Sequence, residues 1–275
     1  MILKEFDLEG KVAIVTGAGR GIGKAIALTM AKAGADIVAS ARTAEQIEQT
    51  AAEVRQLGRR SLSIPTDVCK SDQVEKLAEA AIGQFGKIDI LVANAGFNIM
   101  KPLLLVEGLV PMRAPTRWDS NLTEQEWDTI INIDLTGVVR CARAVGPHMI
   151  KQRRGKIINI GSEAGFIGGA NNTVYTVAKA AVHRFTQALA LEWAPFNINV
   201  NAIAPGRFRT DVWKRPEWHI TDEENEASMQ MITSAIPLKR WGDVQELGLL
   251  AVFLASDASN YITGVVIPCD GGTTL

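Results

Sequence analysis

Val12-Ala-Ile-Val-Thr16-Gly17-Ala18-Gly19-Arg20-Gly21-Ile22-Gly23 is the stretch on which the reading of this chain turns. It runs apolar from Val12 to Val15, closes on Thr16 and enters a cluster of glycines. An unbroken apolar run of this length fits a strand buried on both faces. Beyond the glycines, Ile22, Ala25, Ile26, Thr29, Met30 and Ala33 recur at spacings of three and four, the period of an amphipathic helix. A strand, a glycine turn and a helix in immediate succession form an anion site. Glycines let the main chain turn tightly and approach a phosphate, and the helix N-terminus offers free N–H groups with partial positive charge. The spacing is Gly-x-x-x-Gly-x-Gly rather than Gly-x-Gly-x-x-Gly, whose last glycine would fall at Ile22.

Outward from this turn the chain alternates strands and helices. Strand patterns lie at 12–16, 37–40, 62–65, 88–95, 156–160, 198–204 and 265–268; helical patterns lie at 45–57, 71–85, 123–151, 173–194 and 243–256. Strands apolar on both faces and separated by helices predict an α/β fold with a parallel sheet covered on both sides. No linker or repeat divides the 275 residues, so a single domain over 1–275 is expected. Two stretches break the rhythm. An insertion at about 108–121 contains Pro111, Pro115 and Trp118, and a loop region is expected at about 207–235. Both leave the carboxyl edge of the sheet, where ligands bind in such folds, and both are candidate walls of a substrate site.

Composition excludes several alternatives. With 29 Lys and Arg against 30 Asp and Glu, the net charge is −1 and there is no basic stripe for nucleic acid. Cys69, Cys141 and Cys269 form neither a CxxC pair nor a disulfide framework, and His148, His183 and His219 show no ligand-like spacing, so no metal is expected. No apolar run approaches a membrane span, and residues 1–11 carry acidic residues without the apolar core of a signal peptide. The expected location is the cytoplasm.

The second strand bears on the ligand. Where a dinucleotide site for NAD places an acid, about 20 residues beyond the glycines, this chain has Ala41 followed by Arg42. A carboxylate there would repel a 2′-phosphate, whereas a guanidinium binds it bidentately. Arg20, within the turn, is placed to close on the same group. The expected cofactor is NADP(H).

Tyr175-Thr-Val-Ala-Lys179 opens a long helical pattern, and a spacing of four puts both side chains on one helix face. A free phenol has a pKa of about 10, and lowering it to about 7 takes about 4 kcal/mol. An ammonium about 4 Å away supplies that order of energy at an effective dielectric of about 20, so Lys179 is expected to make Tyr175 a working acid and base. Ser162 follows the strand at 156–160 and is placed to steady charge on a substrate oxygen.

At this point the chain resembles the short-chain dehydrogenase/reductases. The likeness rests on the glycine turn, Asn94-Ala95-Gly96, Ser162, Tyr175-x-x-x-Lys179, Pro205-Gly206 and the ending Asp270-Gly271-Gly272, in that order and spacing. It implies a Rossmann-like, doubly wound sheet of seven parallel strands with helices on both faces. It also implies NAD(P) without metal and a homo-oligomer, a tetramer before a dimer. Carried over, Gly17, Gly21 and Gly23, with Ile22 beside them, would hold the pyrophosphate, and Arg42, joined by Arg20, the 2′-phosphate. Asp67 and Val68 would meet the adenine. Asn94 and Gly96 would sit by the ribose, Asn94 also bracing the central strands. Lys179 would hold the nicotinamide ribose beside Tyr175. Thr210, after Pro205 and Gly206, would meet the carboxamide or pyrophosphate.

One position departs from the family pattern. Where it has asparagine in Val-Asn-Leu-x-Gly, this chain has Ile133-Asp134-Leu135-Thr136-Gly137. The family uses that residue's main-chain carbonyl in a relay to the lysine, a role that Asp134 can keep. A carboxylate near Lys179 would weaken the lysine's effect on Tyr175, so Asp134→Asn is expected to leave activity intact or raise it. Phe166, Phe208, Trp213 and Trp218 are candidates for an apolar substrate wall, and Arg207 and Arg209 for anion or subunit contacts. The expected reaction is hydride exchange between NADP(H) and a carbonyl or secondary alcohol carbon, with Tyr175 as general acid and base. The alternatives are reduction of an enoyl thioester on the same fold and a non-catalytic nicotinamide-binding sensor.

Overall fold

The computed structural model describes residues 3–106, 120–210 and 222–275. Most of the expected insertion, Trp118 included, lies outside the described residues, as do Trp213 and Trp218. Seven strands, β1 (Val12–Thr16), β2 (Asp36–Ala41), β3 (Ser61–Pro65), β4 (Ile90–Ala93), β5 (Gly155–Ile160), β6 (Ile198–Pro205) and β7 (Val266–Cys269), form one sheet in the order β3-β2-β1-β4-β5-β6-β7. Every pairing is parallel. The strand order reverses between β1 and β4. Connections there leave in opposite directions and open a crevice at the carboxyl ends.

Alternation along β1 builds the two faces. Ala13 and Val15 pack with Ile26, Met30, Ile47 and Leu247, from α1 (Gly21–Lys32), α2 (Ala44–Gln56) and α8 (Val244–Ala255). Val12 and Ile14 pack on the other face with Leu77, Val145 and Val182, from α3 (Ser71–Phe85), α5 (Gly137–Gln152) and α6 (Thr173–Trp193). Ile26, Met30 and Ile47 are fully buried, and each such side chain contributes about 2 kcal/mol of transfer free energy. A Cβ at Gly248 of α8 would fall 2.3 Å from the Thr29 hydroxyl oxygen, so glycine lets α8 and α1 approach closely.

The structure corrects three boundaries. The expected strand at 88–95 ladders only over Ile90–Ala93, because the Asn94 and Ala95 N–H groups leave the sheet to bond the Thr16 hydroxyl. The single helix expected at 123–151 is α4 (Glu124–Ile131), a π turn (Asn132–Thr136) and α5. Thr123 starts α4 with a reciprocal capping box to Glu126. The second half of the loop region expected at 207–235 is a helix, α7 (Asp222–Ala235).

Candidate active site

A cavity of about 740 Å³ lies along the carboxyl ends of β1, β4, β5 and β6. One end is the glycine turn. Gly17 has φ +67°, and a Cβ on it would meet the Asn94 amide nitrogen at 2.6 Å; one on Gly23 would fall 2.3 Å from the Gly17 carbonyl oxygen. The turn therefore admits no side chain at Gly17 or Gly23. α1 starts at Gly21 with no side-chain cap from Arg20, leaving its first N–H groups for a ligand. This cradle fits a pyrophosphate. Asn94 braces its floor, donating from Nδ2 to the Thr16 carbonyl at 2.8 Å, while Thr16 Oγ1 accepts from the Asn94 and Ala95 N–H groups.

Ile22, Asp67, Val68, Gly96, Pro205, Gly206 and Thr210 also line the cavity. Asp67 folds its carboxylate onto the Cys69 N–H at 3.0 Å, which shapes the turn after β3. Arg20 and Arg42 are exposed on the rim near the glycine turn. Neither has a carboxylate partner among the described residues. Two guanidiniums facing one space suit a doubly charged anion.

The other end gathers Ser162, Tyr175, Lys179 and Asp134. Ser162 leaves β5 as cap of a 3₁₀ turn, its Oγ accepting from the Ala164 N–H at 3.2 Å. Its hydroxyl helps to lower the Tyr175 phenol. Lys179 is buried; its Nζ donates to the Ile160 carbonyl at 3.1 Å, lies 3.0 Å from Asp134 Oδ1 and sits 5.4 Å from the centre of the Tyr175 ring. Burial pulls Lys179 down, but the Asp134 carboxylate and Tyr175 together hold it above its ordinary value as a firm ammonium.

Lys179 pulls the Tyr175 phenol down, as expected, but does not decide the balance. Burial, the largest influence, raises the phenol above its ordinary value, Lys179 opposes that, Asp134 adds to it, and Ser162 and Arg207 lower it. The carboxylate expected near Lys179 is there: Asp134 is fully buried against the ammonium, with Oδ2 accepting from the Phe97 N–H at 3.0 Å. Asn132 faces away, accepting from Arg140 at 2.8 Å.

The aromatic wall is corrected too. Phe166 is not among the residues lining the cavity; its ring packs on His183 with centroids 4.6 Å apart and is 48% exposed. Phe208 borders the cavity but is 5% exposed, buried in the core against Gly242, whose absent Cβ makes room for the ring. The cavity is also lined by Met100, Met229, Ile232, Asn98, Asn171 and Asn172, together with an ion pair from Arg207 Nε to Glu163 Oε1 at 3.0 Å. Glu163, next to Ser162, and the Gly168–Asn172 run were the signals in the sequence that the reading passed over.

His183 supports the Ser162 turn from below. A Cβ at Gly161 or Gly165 would fall 2.4 or 2.3 Å from its ring, so the imidazole fills the space both glycines leave. Burial first, then Lys179 and Arg184, hold it down at about 4, against an ordinary 6.5. The neutral form is therefore the native one. As pH falls the unfolded chain takes up this proton first, so the stability tied to His183 is full above pH 6.5 and drains away down to about pH 4. The loss should reach about 3 kcal/mol. Denaturant melts across that window should show His183→Gln flatter than wild type; parallel curves would refute the assignment.

Among the described residues, no group of three or more His, Cys, Asp and Glu side chains could hold a metal, and no helix is long and apolar enough to cross a membrane. A family model described as short chain dehydrogenase matches residues 11–219. The chain is 41% identical over 275 residues to the 2-dehydro-3-deoxy-D-gluconate 5-dehydrogenase of Escherichia coli, covering 99% of this chain and 98% of that protein. It is 37% identical over 268 residues to a 3-oxoacyl-(acyl-carrier-protein) reductase of Thermotoga maritima, covering 98% and 99%. Among solved structures, a gluconate 5-dehydrogenase from Burkholderia cenocepacia, in complex with NADP and tartrate, superposes with a TM-score of 0.85 at 33% identity, covering 98% of each chain.

Proposed function

Because the chain belongs to the short-chain dehydrogenase/reductase family of oxidoreductases, we propose that it interconverts a ketone and a secondary alcohol with NADP(H), using Tyr175 as proton donor and acceptor. The observation that carries this reading is one cavity with a phosphate cradle at one end and Ser162, Tyr175 and Lys179 at the other. Gly17, Gly21, Gly23 and the α1 N-terminus would hold the pyrophosphate, Arg20 and Arg42 the 2′-phosphate, Asp67 and Val68 the adenine, and Lys179 the nicotinamide ribose, with Thr210 closing over the turn. The nicotinamide, when bound, supplies or accepts the hydride.

The protein's own residues handle the oxygen. Ser162 holds the carbonyl oxygen by a hydrogen bond that strengthens as charge builds there. Tyr175 gives its hydroxyl proton to that oxygen in reduction and takes it back in oxidation. Lys179 lowers the cost of the phenolate left behind. A phenol raised above its ordinary value keeps its proton at neutral pH and suits a proton donor. A serine hydroxyl beside the tyrosine suits a carbonyl oxygen rather than a carbon–carbon double bond.

At the substrate end, Asn98, Asn171, Asn172 and Arg207 offer amide and guanidinium groups that suit a hydroxylated acid. Two of the relatives are named for gluconate-type substrates, so keto sugar acids stand first among candidates. The same reading takes the active form to be a cytoplasmic homotetramer. The test is a panel of keto sugar acids, simple ketones, 3-oxoacyl thioesters and enoyl thioesters, followed by nicotinamide absorbance with NADPH and with NADH. Ketone reduction that prefers NADPH is expected. Consumption of enoyl thioesters alone, or tight cofactor binding with no turnover on any class, would overturn the proposal.

A further inference from the structure

Asp134 is a carboxylate with no exposed surface, set in the π turn between α4 and α5. Burying an ionised carboxylate is costly unless it is paired and hydrogen-bonded. Here Lys179 supplies the pair and the Phe97 N–H a hydrogen bond, which together oppose a burial that on balance holds the carboxyl above its ordinary value. Oδ1 lies 3.0 Å from Lys179 Nζ, and Oδ2 accepts from the Phe97 N–H at 3.0 Å. A Cβ at Gly96 would fall 2.7 Å from Oδ1, so the segment after β4 gives up a side chain where the carboxylate enters. The ammonium also donates to the Ile160 carbonyl at the end of β5. One carboxylate thereby ties the π turn, the end of β4 and the lysine of α6 together. A π turn adds a residue to the helix and re-aims its side chains, and such turns gather at functional sites.

We propose that Asp134 is a positioning residue for proton transfer: as the fixed counter-ion of Lys179 it holds the ammonium in place and offsets part of the charge that reaches the Tyr175 hydroxyl. This rests on Tyr175 being the proton donor. Among the described residues, the charged groups acting on Tyr175 are Lys179 from its own helix, Asp134 from the π turn and Arg207 from the segment after β6; His183 lies near Lys179, and Glu163 lies against Arg207. His183 is neutral, and Glu163 is paired to Arg207. Asp134 is thus the carboxylate that opposes Lys179 directly. Its presence favours the protonated phenol, and the enzyme as a proton donor in reduction.

The chain has two tyrosines, and the other, Tyr261, is fully exposed. In a Tyr261→Phe background, ultraviolet titration of phenolate therefore reads Tyr175 alone, without substrate or cofactor. Asp134→Asn keeps an acceptor for the Phe97 N–H and removes the charge. It should lower the Tyr175 midpoint by about one pH unit, the scale of one charge several ångströms away at intermediate dielectric. The pH profile of alcohol oxidation should move down equally, making the variant up to about tenfold faster than wild type below the midpoint. Asp134→Ser, smaller and uncharged, should shift the same way. A folded variant of either kind with an unmoved or raised midpoint would overturn the proposal. Full turnover by Tyr175→Phe would instead overturn the functional reading, while the titration would still report on Asp134.

Discussion

Tyr175→Phe is expected to lose about three orders of magnitude in kcat in both directions, the scale of a positioned general acid and base, while binding NADPH as tightly as wild type. The substitution removes one oxygen from a ring that remains in place on α6. Ser162 keeps its bond from the Ala164 N–H, and Lys179 keeps Asp134 and the Ile160 carbonyl, so the surroundings have partners left. What disappears is the proton that must reach the oxygen as the carbon accepts hydride. That interaction is made in the transition state, so kcat and kcat/KM should fall together with KM little changed. Steady-state kinetics in both directions and a fluorescence titration with NADPH check the two halves. Turnover within about tenfold of wild type would leave water as a sufficient proton source and remove Tyr175 from the mechanism.

What could be read from the residues, and what could not, divides along physical lines. β1, the glycine turn and α1 were legible because each rests on local chemistry: an apolar run, a main chain that needs positive φ, and a helix repeat. β1 and β4 were legible because burial on both faces leaves an unbroken apolar run, whereas the edge strands β3 and β7 are only partly buried and were legible from their place in the alternation of strands and helices. The π turn was not. One extra residue in a helical turn changes the period too little to show, and it decides that Asp134 meets Lys179 through its carboxylate. α7 was missed because the segment at 222–235 is largely polar and its neighbours suggested a loop. The acidity of Tyr175 was read from one pair of residues four apart, whereas its environment includes burial, a carboxylate from another helix and a guanidinium from beyond β6. Those contributions come from tertiary structure. Phe166 and Phe208 show the same limit: an aromatic near a site is assigned by its packing, here against His183 and Gly242, and not by its place in the chain.

The two arginines of the rim carry the remaining large effect. Replacing both, Arg20→Ala with Arg42→Ala, should weaken NADPH about a hundredfold and leave NADH within a few fold. Both side chains are exposed at the glycine end of the cavity, and neither is held by a carboxylate among the described residues. Each is thus available to an incoming anion without first giving up an ion pair. A hydrogen bond to a charged group is worth about 1.5–3 kcal/mol, and about 1.4 kcal/mol is tenfold in affinity. Two such contacts, discounted for solvent on the rim, give about a hundredfold. NADH has no 2′-phosphate, so the loss should not reach it. Adding Ala41→Asp should then favour NADH, because a carboxylate at the end of β2 repels the phosphate and can accept from the ribose hydroxyls. Exposure also makes the wild-type preference for NADPH shrink as salt rises. If the double variant weakened NADPH and NADH alike, the guanidiniums would be holding the pyrophosphate common to both, and Ala41-Arg42 would carry no information about the cofactor.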